Sequence, residues 1–246
     1  MKQNRALFLF RLFLTFVMLA LTLIGLMTLF RALRPVMAMG KAVSAPEAAP
    51  LVVILDPGHG GRDGGAVSVT GKAEKGLNLS VALRVRDILE AAGAEVYLTR
   101  TEDVMPSAGI AGMSAKMNDL AFRAEFAKQY PEAVFVSIHM NKFSDGSCRG
   151  AQIWYAPGEE SHALAEALRE SLLTVRPDNR RTCREADSSI WLLGHLSVPA
   201  VLVECGFLSH PEEAVLLEEE AYQTRLALAL ARGILQSRLK ETQNEV

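Results

Sequence analysis

The sequence predicts one α/β domain behind an N-terminal membrane-spanning helix, on three observations. Continuous apolar runs rich in branched residues, "LVVILD" at 51–56, "AVFVSIH" at 133–139 and "PAVLVECGF" at 199–207, suit strands buried on both faces of a sheet. Helical patterns lie between them, and the order strand, helix, strand, helix implies a layered α/β fold. Ahead of all of these, residues 12–30 are apolar and carry no charge. The 246 residues, half of them hydrophobic with a formal charge of -2, suffice for one sizeable core and offer no electrostatic attraction to nucleic acid.

Taken in order, Lys2, Arg5 and Arg11 precede the apolar stretch, which as a helix would span roughly 28 Å against a bilayer core of about 30 Å. A cleavable leader has a shorter apolar region, about 7 to 15 residues, so an uncleaved anchor is the expectation. The "VMA" at 36–38 keeps a secretory signal peptide as the alternative. A short cationic tail stays inside, which places the domain outside the membrane. The expected divisions are residues 1–34 for tail and anchor, 35–50 for an Ala- and Pro-rich linker, and 51–240 for the domain that carries the chemistry.

Within the domain, Leu77, Val81, Val85, Leu89 and Ala92 recur at helical spacing, and Gly93 supplies a stop before the strand "AEVYLTR". The aperiodic "DVMPSAGIAGMSAKMN" reads as a long loop near the site. Helices follow at 119–130 and 160–174, with the strand "GAQIWYA" between them. A long helical region begins near His210, where Ser209 and Glu212 have the spacing of a capping box. Cys148, Cys183 and Cys205 are too few for a disulfide framework or a cysteine metal cage, although Cys148 and Cys183 could pair outside the cell.

The loop after the first strand, "PGHGGRDGG", holds five glycines around His59, Arg62 and Asp63. A phosphate cradle fails on detail. Asp63 stands where a dinucleotide fingerprint needs Gly or Ala, and the 65–73 stretch is one residue too long for a P-loop and lacks its Ser or Thr. A metal reading does better, because His59 follows the first strand, His139 ends the third and Glu204 lies near the end of another. In open α/β sheets, sites gather beyond the carboxyl ends of the strands. Glu74 can join them from a helix start, where the macrodipole favours a carboxylate.

Two imidazoles and a carboxylate make a zinc site with an open position, and a fourth carboxylate can take a proton from water there. The bland alternatives are hydrogen-bonded histidines, a Glu74 charge paired with Lys75, and a Glu204 salt bridge to an arginine. Asp56 and Asp63 are expected to shape the loop or orient His59, and Asn141 to belong to the site wall. Cys205, next to Glu204 on a strand, points to the other face and is an inert thiol. His162 and His195 read as ordinary helix or loop residues.

The phrases "ILDPGHGGRDGGA", "EKGLNL", "SIHMN" and "VLVECGFLS" resemble the four signatures of zinc-dependent N-acetylmuramoyl-L-alanine amidases of the type-3 family, over about residues 51 to 238. Within it, "RPDNRR", "SSIWLL" and "FLSHPEEAVLL" resemble the sporulation and germination amidases. The resemblance implies one Zn2+ per chain, ligated by His59, Glu74 and His139, with Glu204 as the catalytic carboxylate. It implies a twisted mixed sheet flanked by helices, and cleavage of the amide between the lactyl group of N-acetylmuramic acid and the L-alanine of the stem. The partners implied are peptidoglycan glycan strands and stem peptides, with spore cortex, ahead of muramic-lactam formation, as the setting. The glycines around His59 would let a bulky glycan strand approach the metal.

His210 departs from the family pattern, which usually has Asn there. No helical insertion of the kind that occludes division amidases is visible, so regulation would fall to timing, location or an activating partner protein. The rival readings are a zinc endopeptidase or carboxypeptidase acting on the stem, and a wall-binding module without chemistry. Presence of all four polar groups argues against the module. Products with free lactyl groups and L-alanine amino termini would exclude the peptidase.

Overall fold

In a computed structural model of the chain, the described residues are 50–244, with side chains to residue 238, together with Met18, Thr22 and Met27. Apart from those three residues, the apolar stretch expected to cross the membrane lies outside the described residues. Among the described residues no helix is long and apolar enough to span a bilayer.

Six strands form one mixed sheet: β1 (Val52–Pro57), β2 (Glu95–Leu98), β3 (Val134–Asn141), β4 (Gln152–Tyr155), β5 (Arg184–Glu185) and β6 (Ala200–Phe207), in the order β2-β1-β3-β6-β4-β5. All neighbouring pairs are parallel except β4 with β6. The three long apolar runs become β1, β3 and β6, the central strands, which explains why both of their faces are apolar.

The helices are α1 (Glu74–Ala91), α2 (Ala115–Ala127), α3 (Glu159–Leu172), α4 (Pro211–Glu218) and α5 (Glu220–Asn244). On one face of the sheet Val53, Leu55, Val136, Ile138, Val201 and Val203 pack with Val81 and Leu89 of α1, Leu164 and Leu168 of α3, and Leu230 and Ile234 of α5. On the other, Ile54, Phe135 and Ala200 pack with Ala124 and Ala127 of α2 and with Leu192, Leu193 and Val198. Successive residues of a strand thus feed opposite layers.

Two helix boundaries differ from the sequence expectation. The α2 helix starts earlier, with Ser114 capping it by accepting the Met117 N–H at 3.2 Å. The long C-terminal helical region is two helices, broken at Glu219, whose backbone is extended. The expected capping box is replaced as well: His210, not Ser209, is the N-cap, and its Nδ1 accepts the Glu213 N–H at 3.2 Å. Pro211 explains the change, since a proline at the first helical position forces the residue before it into extended backbone, which is the capping conformation. Ser209 Oγ instead accepts the Phe143 N–H at 3.2 Å.

Candidate metal centre

The chain leaves β1 into a loop fixed by two buried arginines. Arg100 donates to the carbonyls of Pro57 and Gly58, both at 2.9 Å, and Arg123 donates to the carbonyls of Pro57 at 3.1 Å and His59 at 3.0 Å. Held in this way, His59 adopts φ 62, an uncommon conformation for a residue with a side chain. Its Nδ1 lies 2.9 Å from Asp63 Oδ2, so Nδ1 donates to that carboxylate and Nε2 is the nitrogen turned to the site.

That Nε2 lies 3.3 Å from Glu74 Oε2, and His139 Nδ1 lies 3.0 Å from Glu74 Oε1. Glu74 opens α1, where the loop backbone supplies the cap: the Glu74 N–H donates to Ala66 O and the Lys75 N–H to Gly64 O. Its carboxylate is buried and also accepts from the Ala66 N–H at 2.9 Å, the Met140 N–H at 3.1 Å and Asn78 Nδ2 at 3.0 Å. Lys75 is not its partner; that ammonium reaches Asp103 at 2.7 Å and Gly61 O at 2.6 Å.

One donor atom each from His59, Glu74 and His139 lies within 4.8 Å of the others. Burial alone would raise the Glu74 carboxyl, but His139 and His59 drive it well below its ordinary range. Burial would lower the His59 imidazole, and the hydrogen bonds and charges of Glu74 and Asp63 outweigh it, pushing it up to about 9. A field that holds a proton on His59 also favours a cation in the proton's place. Two imidazole nitrogens and an ionised carboxylate at this spacing fit a zinc ion.

Glu204 is the register partner of His139 across the β3–β6 pair. Among the described residues it forms no ion pair, and its buried Oε2 has no hydrogen-bond partner. Burial pushes its carboxyl up to about 7; the Glu74 charge adds to the shift while His139 and His59 oppose it. Glu204, His59 and His139 line one cavity of about 330 Å³ with Lys116, Leu120 and Trp191. Sequence reasoning did not give Lys116, Leu120 or Trp191 a place there, although Trp191 lies inside the motif "SSIWLL".

The remaining expected residues divide. Asp63 contacts the His59 ring and lines the same cavity. Asp56 is fully buried and lines the same cavity; its carboxylate pairs with Arg123, which holds the His59 carbonyl, and accepts from Thr99 Oγ1 and Ser137 Oγ, both at 2.6 Å. Asn141 lies past a register irregularity in β3, uses its carbonyl to accept the Leu208 N–H at 2.7 Å, and is not part of the cavity lining. Cys205 is buried in the helix-covered layer away from Glu204, and all three thiols are free, so Cys148 and Cys183 do not pair.

Two of the loop glycines have a purpose inside the fold. A Cβ at Gly58 would overlap the His139 ring, and one at Gly65 would lie 2.5 Å from Glu74 Oε2 and 2.7 Å from His59 Cδ2. They clear space for the site's own side chains, and Gly65 also turns at φ 65, which suits a residue without Cβ.

The family model described as Amidase_3, N-acetylmuramoyl-L-alanine amidase, matches residues 53–236. The germination-specific N-acetylmuramoyl-L-alanine amidase of Bacillus subtilis (strain 168) is 38% identical over 190 residues, which is 75% of this chain and 78% of that protein. Among solved structures, the CwlD amidase of Clostridioides difficile in complex with the GerS lipoprotein superposes with a TM-score of 0.72 at 34% identity, covering 77% of this chain and 98% of that one. The amidase AmiC2 of Nostoc punctiforme gives 0.66 at 33% identity, over 77% and 97%.

Proposed function

The chain belongs to the N-acetylmuramoyl-L-alanine amidase family, and from that premise we propose that it hydrolyses peptidoglycan with one zinc ion held by His59, Glu74 and His139 and with Glu204 as the proton carrier. The bond cleaved joins the lactyl group of N-acetylmuramic acid to the L-alanine of the stem peptide. One observation carries the assignment of roles. Glu74 gathers both imidazoles, while Glu204, beside His139, leaves a buried oxygen unpartnered in the same cavity.

When bound, zinc supplies Lewis acidity to the substrate carbonyl and to a water molecule. Glu204, buried beside His139 with one oxygen unpartnered, can accept a proton from that water and deliver it to the departing alanine nitrogen. Asp63 keeps the His59 ring in one orientation and one tautomer. Leu120, Trp191 and Leu202 give the cavity apolar surface that limits water around the reacting groups.

The setting is part of the same proposal. Residues 1–34 would anchor the chain and 35–50 tether the domain outside the membrane, with a secretory signal peptide as the alternative. The similarity to the germination-specific relative supports a role in spore cortex. The solved complex of the C. difficile relative with a lipoprotein supports a protein partner of that kind for this chain.

The test is zinc content by atomic emission beside release of stem peptide from muropeptides. Glu74→Ala should lose both metal and turnover. Glu204→Gln should keep nearly one zinc per chain and lose turnover by roughly 100- to 10,000-fold. Mass spectrometry should find free lactyl groups and L-alanine amino termini. Wild-type turnover in Glu204→Gln, or full activity in metal-free protein, would overturn the roles given to these residues.

A further inference from the structure

A second cavity, of about 500 Å³, opens at the same end of the sheet as the metal centre. Topology puts it there. Strand β4 runs antiparallel to β6, so its first residue, Gln152, stands opposite Glu204. Gln152 lines the cavity together with the segments 147–150 and 176–184. Neighbouring strands are about 4.8 Å apart, so the cavity begins roughly 5 Å to the side of Glu204 and about 10 Å from His139.

Its walls carry five arginines, Arg149, Arg176, Arg180, Arg181 and Arg184, and one carboxylate, Asp178, while the buried Glu213 pairs with Arg176 from behind at 3.8 Å. The whole chain has a formal charge of -2, so this concentration of positive charge is local. Asp178 braces two of the arginines, Arg149 at 3.1 Å and Arg176 at 3.3 Å. The Arg181 guanidinium lies 4.6 Å from the ring centroid of Phe207, the last residue of β6, and that of Arg184 lies 5.9 Å from the Trp154 ring. Guanidinium planes held by ion pairs and aromatic faces are organised in advance to take carboxylates two bonds at a time, which ammonium groups cannot do.

We propose that this cavity binds the free carboxylates of the stem peptide, at the second and third residues beyond the scissile amide. An extended peptide advances about 3.3 to 3.6 Å per residue, so a stem leaving Glu204 across β4 reaches the arginines within two or three residues. The cavity selects acidic stems over stems whose carboxylates are amidated. This rests on His59, Glu74, His139 and Glu204 being the reacting centre, and it adds a subsite that recognises the leaving group by charge.

The experiment compares two muropeptides with the same glycan, one with free stem carboxylates and one with carboxamides in their place, on the zinc-loaded full chain. The expected result is a KM at least about tenfold lower for the acidic stem, with a gap that narrows as salt screens the attraction. The double variant Arg149→Gln/Arg184→Gln should raise KM for the acidic stem about tenfold, with the loss carried by KM rather than kcat, and should close the gap to the amidated stem. Both side chains are exposed, and thermal unfolding checks that the variant is folded. Equal KM values for the two stems in the wild type, or equal losses on both in the variant, would overturn the subsite. Glu204→Gln measured alongside separates the readings. If it stays active the reacting centre is misassigned, whereas an inactive Glu204→Gln beside a wild type that ignores stem charge removes the subsite alone.

Discussion

His139 and Glu204 are register partners on β3 and β6, yet the His139 Nδ1 is bonded to Glu74, from a different element, and not to Glu204. The two glutamates of the site are thereby placed in opposite electrostatic states. Glu74 is held ionised between two imidazoles, while Glu204 is held near neutrality by burial.

A stability measurement should register that difference in metal-free protein. The folded chain keeps the Glu204 proton to about pH 7, whereas an ordinary glutamate releases it near 4.5. Folding therefore suffers no penalty from this group below about pH 4.5, loses stability as pH rises towards 7, and stays lower beyond that. The loss is on the order of 3 kcal/mol. Glu204→Gln removes it, so the variant should gain on the wild type at pH 8 and show no such gain at pH 4, read by urea unfolding after chelation. A difference that is the same at both pH values would mean that Glu204 ionises freely in the fold.

Asp63→Asn should weaken metal binding without emptying the ligand set. The amide can still touch His59 Nδ1, but it lacks the charge that holds the tautomer, and loss of such an outer partner typically costs 10- to 100-fold in metal affinity. Competition with a chromophoric chelator measures this directly. Turnover should recover at high zinc, and an unchanged affinity would leave Asp63 as a loop-shaping residue only.

Asp56→Asn should be a folding variant and not a catalytic one. Burial would raise this carboxyl, and Arg123, Ser137 and Thr99 hold it below its usual range. The ion pair thus stabilises the fold above about pH 4, and its contribution is lost as pH falls through the depressed value. Replacing one partner leaves Arg123 buried without its main counter-charge, which costs about 3 to 5 kcal/mol. Denaturant unfolding at neutral pH tests this, and a change under about 1 kcal/mol would show that Asp119, 3.0 Å from Arg123, suffices by itself.

The parts legible in the sequence are those with a local signature. The strands β1, β3 and β6 announce themselves as apolar runs, and His59, His139 and Glu204, each at or near the end of one, are thereby brought to one cavity. Arg100 and Arg123 gave no such signal. Each lies in an unremarkable stretch, and its role depends on carbonyls of the His59 loop that only the parallel pairing of β1, β2 and β3 brings within reach. The α4 cap differs for a local reason: the Ser-x-x-Glu spacing points to Ser209, whereas Pro211 at the start of the helix puts His210 in the capping conformation. The clearance that Gly58 and Gly65 give His139 and Glu74 had no signal in the sequence, because it depends on where those side chains fold to.

The bonds that fix the His59 loop also tie together distant parts of the chain. Arg100 reaches Pro57 and Gly58 across 43 and 42 residues, Arg123 reaches Asp56 across 67, and Ser137 reaches Asp56 across 81. Contacts this distant along the chain carry the entropic cost of closing long loops. A ribosome-bound fragment ending before β3 would contain His59 and Glu74 and still lack a binding site for the ion. With the ligand set proposed above, affinity for a metal would be a property of the finished fold, and an ion would be an unsuitable template for the early steps of folding.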